Sequence, residues 1–260
     1  MTRIGAVFAR PGHKALIAYL TVGYPSTQAT LELVPAIIES GCDMVELGIP
    51  FSDPLADGTT IQRASYLALE QGVTPQLCLE VARQLRQMVS APIIFMTYYN
   101  PVVRYGLSSF CHACSEAGVD GLIVPDLPPE EGSELEGLTR RYKVDLVYLV
   151  APTTTGERLS FIAARSRGFI YLVSLKGVTG AREALPADLE RLVGGLRSKT
   201  AKPICVGFGI STPEQARRAA GLADGVIVGS RILEIVESSD HPTESAAYFI
   251  HQLRDAMDKG

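Results

Sequence analysis

Two kinds of residue in this 260-residue chain could do chemistry: single carboxylates set among apolar runs, and glycines that recur where such runs end. In Asp43-Met-Val-Glu-Leu-Gly-Ile-Pro50 the carboxylate of Glu46 stands between Val45 and Leu47. If this run is a strand, alternation sends Glu46 to the face opposite those two neighbours. An inward carboxyl loses hydration, which lifts its pKa toward values useful for general acid–base work. The other reading is a buried structural glutamate paired with a cation. Unpaired buried carboxylates are rare and perturbed ones cluster at sites, which favours the catalytic reading. The following loop, Phe51-Ser-Asp-Pro-Leu-Ala-Asp-Gly58, adds Asp53 and Asp57. Asp57 can reach back over the same opening, but Asp-Pro and Asp-Gly steps also serve turns and helix caps. Spacing favours the turn role for Asp53 and leaves Asp57 open between the two.

Glycines follow three consecutive apolar runs near the carboxyl end: Gly177-Val-Thr-Gly180, Gly207-Phe-Gly-Ile-Ser211 with Gly209 at its centre, and Gly229-Ser230. Backbone N–H groups at such exits can approach an anion closely. Ser230 also opens the short apolar segment Arg231–Val236, which could aim a helix amino terminus at that anion. Tight turns alone would also use glycine. Three successive exits, the last followed by serine and a short helix, favour a phosphate site and hence a phosphorylated small molecule as substrate.

Other constellations carry less. Cys111-His-Ala-Cys114 has CxxC spacing but no second ligand pair and falls inside an expected helix, so zinc binding and thiol exchange are not expected. His13, His112, His241 and His251 fall at no strand exit, and no Ser-His-Asp set assembles. Tyr19, Tyr98, Tyr99 and Tyr171 lie in or just past apolar runs, where they suit either a pocket lining or ordinary packing.

These residues need elements to hold them. Eight short apolar runs read as strands: Leu16–Thr21, Met44–Leu47, Ile93–Thr97, Leu122–Val124, Leu146–Val150, Phe169–Val173, Ile204–Val206 and Val226–Val228. Most lack polar alternation, as parallel strands covered on both faces do. Between them helices are expected at Gln28–Ser40, Thr60–Gln71, Gln76–Val89, Ser108–Ala117, Pro129–Tyr142, Glu157–Arg167, Ala187–Ser198 and Pro213–Ala220, with a last one near Glu244–Met257. The second and sixth intervals are longer than one βα unit needs and must hold something extra. With no Gly/Ser-rich linker, no composition shift and no Gly-x-Gly-x-x-Gly after the first strand, the pattern predicts a single (βα)8 TIM barrel over residues 1–260 with extra short helices, and not an open doubly wound sheet. In such a barrel the active site lies at the carboxyl ends of the strands, where Glu46, Asp57 and the glycine exits all fall.

Composition sets outer bounds. Hydrophobic residues make up 47% and charged residues 20%, which is globular. Net charge is -4, so nucleic acid is not an expected partner. No apolar run approaches a membrane span or a secretory signal, and five irregularly spaced cysteines read as reduced thiols, so a cytoplasmic protein is expected.

At this point the motifs resemble a family. Val45-Glu-Leu-Gly-Ile-Pro-Phe-Ser-Asp-Pro-Leu-Ala-Asp-Gly58, together with Leu20-Thr-Val-Gly-Tyr-Pro25, Met96-Thr-Tyr-Tyr-Asn-Pro101, Gly121-Leu-Ile-Val-Pro-Asp-Leu-Pro128 and the glycine exits, is similar to the tryptophan synthase alpha chain family nearly end to end. The second-strand block is the specific part; other phosphate-binding barrels share the glycine motifs. The resemblance implies retro-aldol cleavage of indole-3-glycerol phosphate to indole and glyceraldehyde 3-phosphate, with no metal and no cofactor on this chain. It carries Glu46 and Asp57 over as the catalytic carboxylates. It implies Gly180, Gly209, Gly229 and Ser230 at the phosphate, Tyr171 near the glycerol end, Tyr19 and Tyr98 beside the indole, and Thr179 as a lid residue that orders Asp57. It further implies a beta-chain partner in an α2β2 complex. One departure is Thr59, where the family usually has proline; it bears on the stiffness of the Asp57 loop. Lys176 has no place in this scheme.

Overall fold

A computed structural model of the protein describes residues 1–173, 189–207 and 209–259. Helix α1 (Arg3–Phe8) precedes strand β1 (Ala15–Thr21), which is followed by α2 (Thr27–Glu39) and β2 (Met44–Gly48). Two helices, α3 (Thr59–Glu70) and α4 (Pro75–Met88), fill the long second interval before β3 (Ile93–Met96), as its length required. Next come α5 (Tyr99–Tyr105), α6 (Leu107–Glu116), β4 (Gly121–Ile123), α7 (Ser133–Arg141), β5 (Asp145–Val147) and β6 (Leu149–Val150). The chain continues through α8 (Gly156–Arg165), β7 (Ile170–Val173), α9 (Leu189–Arg197), β8 (Ile204–Gly207), α10 (Pro213–Leu222) and β9 (Gly225–Val228). Helices α11 (Ser230–Ser238) and α12 (Pro242–Asp258) complete it.

The strands form one sheet in the order β5-β4-β3-β2-β1-β9-β8-β7-β6, and every paired neighbour is parallel. Its two edge strands, β5 and β6, are separated in the chain by Tyr148 alone, so the sheet curls into a barrel. The sequence reads Leu146–Val150 as a single strand; the structure breaks it. Tyr148 donates its N–H to Ser166 Oγ at 3.0 Å and its hydroxyl to Glu136 Oε1 at 2.8 Å, and its carbonyl accepts from the N–H of Tyr171. These bonds transfer the chain from pairing with β4 to pairing with β7. The same Ser166 hydroxyl donates to the carbonyl of Phe169, and Ser166 is extended (φ -60, ψ 144), so α8 stops at Arg165 and not at Arg167. The seventh helix starts at Ser133 and not at Pro129, because residues 129–132 close turns back onto Pro128 and Pro129.

Strand alternation sorts the apolar residues into two cores. Leu16, Val45, Leu47, Phe95, Leu172 and Val226 face outward onto the helices. Ile17, Met44, Ile94, Ile123, Val147, Phe169, Tyr171, Cys205 and Ile227 fill the barrel. Each fully buried side chain of this size contributes about 1.5–3 kcal/mol. Helix α1, which the sequence left unassigned, closes the amino-terminal end: Ile4 is buried in the inner core and Phe8 packs 6.0 Å from Phe169. Carboxylates at the strand starts hold it there. Thr2 donates to Asp145 at 2.9 Å, Arg3 pairs with Asp120 at 2.9 Å, and Arg10 pairs with Asp43. Asp43, Asp120 and Asp224 also accept the N–H groups of Leu16, Ile93 and Ile204, which satisfies donors that open the strands.

Candidate active site

Glu46 lies on the inner face of β2, beside Tyr19 of β1 and Ile94 of β3 in register. It has no exposed surface, and among the described residues neither carboxylate oxygen has a hydrogen-bond partner. The structural reading that paired it with a cation therefore finds no cation among the described residues. Burial alone pushes its pKa from the ordinary 4.5 up to about 8. Two residues on, Gly48 leaves the space into which Tyr19 leans: a side chain there would begin 2.1 Å from the Tyr19 hydroxyl. That hydroxyl stands 3.4 Å from Thr21 Oγ1.

Asp57 follows in the loop between β2 and α3 and is partly buried. Burial raises its pKa from 3.8 to about 6, against the nearby Tyr98 hydroxyl, which lowers it. The Tyr98 hydroxyl accepts the N–H of Ala56 at 2.9 Å, and its ring lies 5.2 Å from that of Phe51. Tyr98 thus grips the loop at two points. Gln62, on the first turns of α3, adds a third by donating to the carbonyl of Asp57 at 2.8 Å. Sequence reasoning missed Gln62; its nearness to Asp57 across the helix start was the available signal. The exposed Asp53 accepts a bond from its neighbour Ser52.

Burial raises the phenol pKa values of Tyr19 and Tyr171, and the negative potentials of both Glu46 and Asp57 raise them further. The two carboxylates and the two phenols therefore share one weakly hydrated space at the carboxyl end of the barrel.

The glycine exits lie at the same end, past β8 and β9. Gly209 has φ +67, and the direction a side chain would take from it is open. Gly229 is the N-cap of α11, and Ser230 is its first residue; no side chain caps that first turn. Thr179, Gly180 and Lys176 lie outside the described residues, as does the rest of the Gly177–Gly180 motif. Cys111 and Cys114 are buried within α6, and Cys205 is buried in β8. Among the described residues no helix is long and apolar enough to cross a membrane.

Fold and site together define a (βα)8-barrel enzyme whose mouth is lined by carboxylates and opens onto glycine-rich strand exits. The family model described as tryptophan synthase alpha chain matches residues 6–259. The tryptophan synthase alpha chain of Dehalococcoides mccartyi is 55% identical over 258 residues, covering 99% of this chain and 100% of its own length. That of Chloroflexus aurantiacus is 48% identical over 99% of both chains. Among solved structures, tryptophan synthase subunit alpha from Legionella pneumophila superposes with a TM-score of 0.93 at 36% identity, covering both chains fully. A Mycobacterium tuberculosis tryptophan synthase structure gives 0.93 at 37% identity, covering 100% of this chain and 99% of that one. The chain belongs to the tryptophan synthase alpha chain family, lyases that cleave indole-3-glycerol phosphate in tryptophan biosynthesis.

Proposed function

We propose that this chain releases indole and glyceraldehyde 3-phosphate from indole-3-glycerol phosphate with Glu46 and Asp57 in unlike roles. The observation that carries the assignment is the complete burial of Glu46 with both oxygens unpartnered among the described residues, which keeps a proton on it at neutral pH. Protonated Glu46 gives that proton to indole C3, forming an indolenine whose C=N⁺ bond is an electron sink. The resulting Glu46 carboxylate takes the proton of the adjoining glycerol hydroxyl. The O–H electron pair becomes the aldehyde C=O, and the carbon–carbon bonding pair returns to the ring as indole. Glu46 ends protonated, so no proton is gained or lost over the cycle. Asp57, ionised above about pH 6, accepts the indole N–H and stabilises the positive charge that develops there. Different environments thus give two carboxylates opposite protonation states.

In this reading backbone N–H groups around Gly209, Gly229 and Ser230 hold the phosphate, with Gly180 completing the cradle and Thr179 ordering Asp57. Tyr171 stands toward the glycerol end, and Tyr19 and Tyr98 flank the ring. The partner is a tryptophan synthase beta chain in an α2β2 assembly, which consumes the indole. The exposure of Leu55, 92% of its surface in the loop that carries Asp57, supports docking on that side. The test is indole release from indole-3-glycerol phosphate by the purified chain, with and without a beta chain, for wild type and Glu46→Gln. Near-normal release by the variant overturns the role of Glu46.

A further inference from the structure

Helix α5 begins on a residue that cannot cap it. Tyr98 is the N-cap, extended at φ -86 and ψ 159, and its side chain makes no capping bond because it points instead to the Asp57 loop. The missing acceptor comes from the next βα loop: the N–H of Tyr99 donates to Asp126 Oδ1 at 2.9 Å. Asp126 follows β4 by three residues and is exposed, and its bond spans 27 residues of chain. The backbone on the carboxyl side of Tyr98 is therefore pinned from the neighbouring strand exit, while its hydroxyl pins Ala56, the residue before Asp57.

We propose that Asp126 is a positioning residue for the reaction: by accepting the first N–H of α5 it fixes Tyr98, and through Tyr98 it holds the loop that presents Asp57. The inference rests on the reading of Asp57 given above. Asp126 acts through the backbone of Tyr99; without it the N–H of Tyr99 turns to water and the helix start frays, as uncapped first turns do. Tyr98 then loses the fixed origin from which its hydroxyl reaches the loop.

The sign of one measurable shift separates this role from a plain charge effect. Asp57 is faced by Tyr98 and shares its space with Glu46, Tyr19 and Tyr171. Removing a nearby negative charge alone can only lower the pKa of Asp57. Withdrawal of the Tyr98 hydroxyl from beside the carboxylate raises it, because that hydroxyl favours the ionised form.

The experiment is a carbon-13 NMR titration of the Asp57 carboxyl in the full chain, for wild type, Asp126→Ala, Asp126→Asn, Tyr98→Phe and Asp126→Ala with Tyr98→Phe. Asp126→Ala should move the titration upward by roughly half a pH unit or more. Asp126→Asn keeps an acceptor and drops the charge, and should leave Asp57 within roughly a few tenths of a unit of wild type. Tyr98→Phe should produce the upward shift by itself, and Asp126→Ala should add nothing to it. Because Asp126 is exposed, its replacement opens no cavity, and Asp126→Asn covers a failure of the alanine variant to fold: a large upward shift there overturns the proposal. An unmoved or lowered titration in Asp126→Ala, or additivity with Tyr98→Phe, also overturns it. None of these readouts needs turnover, so the positioning role stands or falls separately from the catalytic role of Asp57, which Asp57→Asn and indole release test.

Discussion

Glu46 holds its proton because burial strips its charge of hydration and no described residue compensates it, and that has consequences for both rate and stability. With Glu46 titrating near 8 and Asp57 near 6, the working form, Glu46 neutral and Asp57 ionised, prevails between those values. The pH profile of kcat/KM for indole release should be bell-shaped, with an acid limb near 6 and an alkaline limb near 8. Asp57→Asn should abolish the acid limb along with most of the rate. A flat profile across that range excludes the pair. Folding is linked to the same proton. Glu46 titrates at 4.5 when unfolded and about 8 when folded, so the folded state binds the extra proton between them. Its contribution to stability is full below 4.5, declines as pH rises, and is lost above about 8. Glu46→Gln should therefore match wild type near pH 5 and exceed it at pH 9 by on the order of a few kcal/mol, read from urea unfolding at both values.

At the scale of the element, the loop from β2 into α3 shows what sequence could and could not supply. Thr59 is the first residue of α3, with the extended Gly58 (φ -76, ψ 163) as its N-cap. Proline is favoured at that position, and the residue before it already has the backbone that proline demands. Thr59→Pro should stabilise the chain by about 0.4–1 kcal/mol and slow proteolysis between Phe51 and Gly58. Thermal unfolding and timed digestion check both. Past β8, Gly209→Val forces a β-branched residue to φ +67 and should weaken binding of glycerol phosphate by roughly tenfold or more in calorimetry. The positions of Glu46, Asp57 and these glycines were legible because alternation and strand ends are local patterns. Gln62 was legible in principle, lying five residues from the carbonyl it holds, but Asp126 and the break at Tyr148 were not, since each acts through a bond to a partner that no local period marks. Helix α5 escaped notice for the same reason: its cap lies 27 residues away.

For the whole molecule, the order of βα units was readable from the spacing of apolar runs, but closure of the barrel's lower end was not. Helix α1 offers only Ile4 and Val7 as buried residues, too few for a visible period. Yet Ile4 fills the space that Gly121 and Gly168 leave. Ile4→Ala should cost about 2–5 kcal/mol in urea unfolding, while turnover per folded molecule at the opposite end stays unchanged.

The way α1 is held also sets a timetable for synthesis. Thr2 and Asp145 are 143 residues apart, and Phe169 comes later still. At about 5–20 residues per second a ribosome needs roughly 7–30 s to make that stretch. Throughout it helix α1 has no berth, and Ile4 and Phe8 stay unburied. A plug made before the strands that seat it must wait for them, and a chaperone that binds short apolar segments has that interval in which to act.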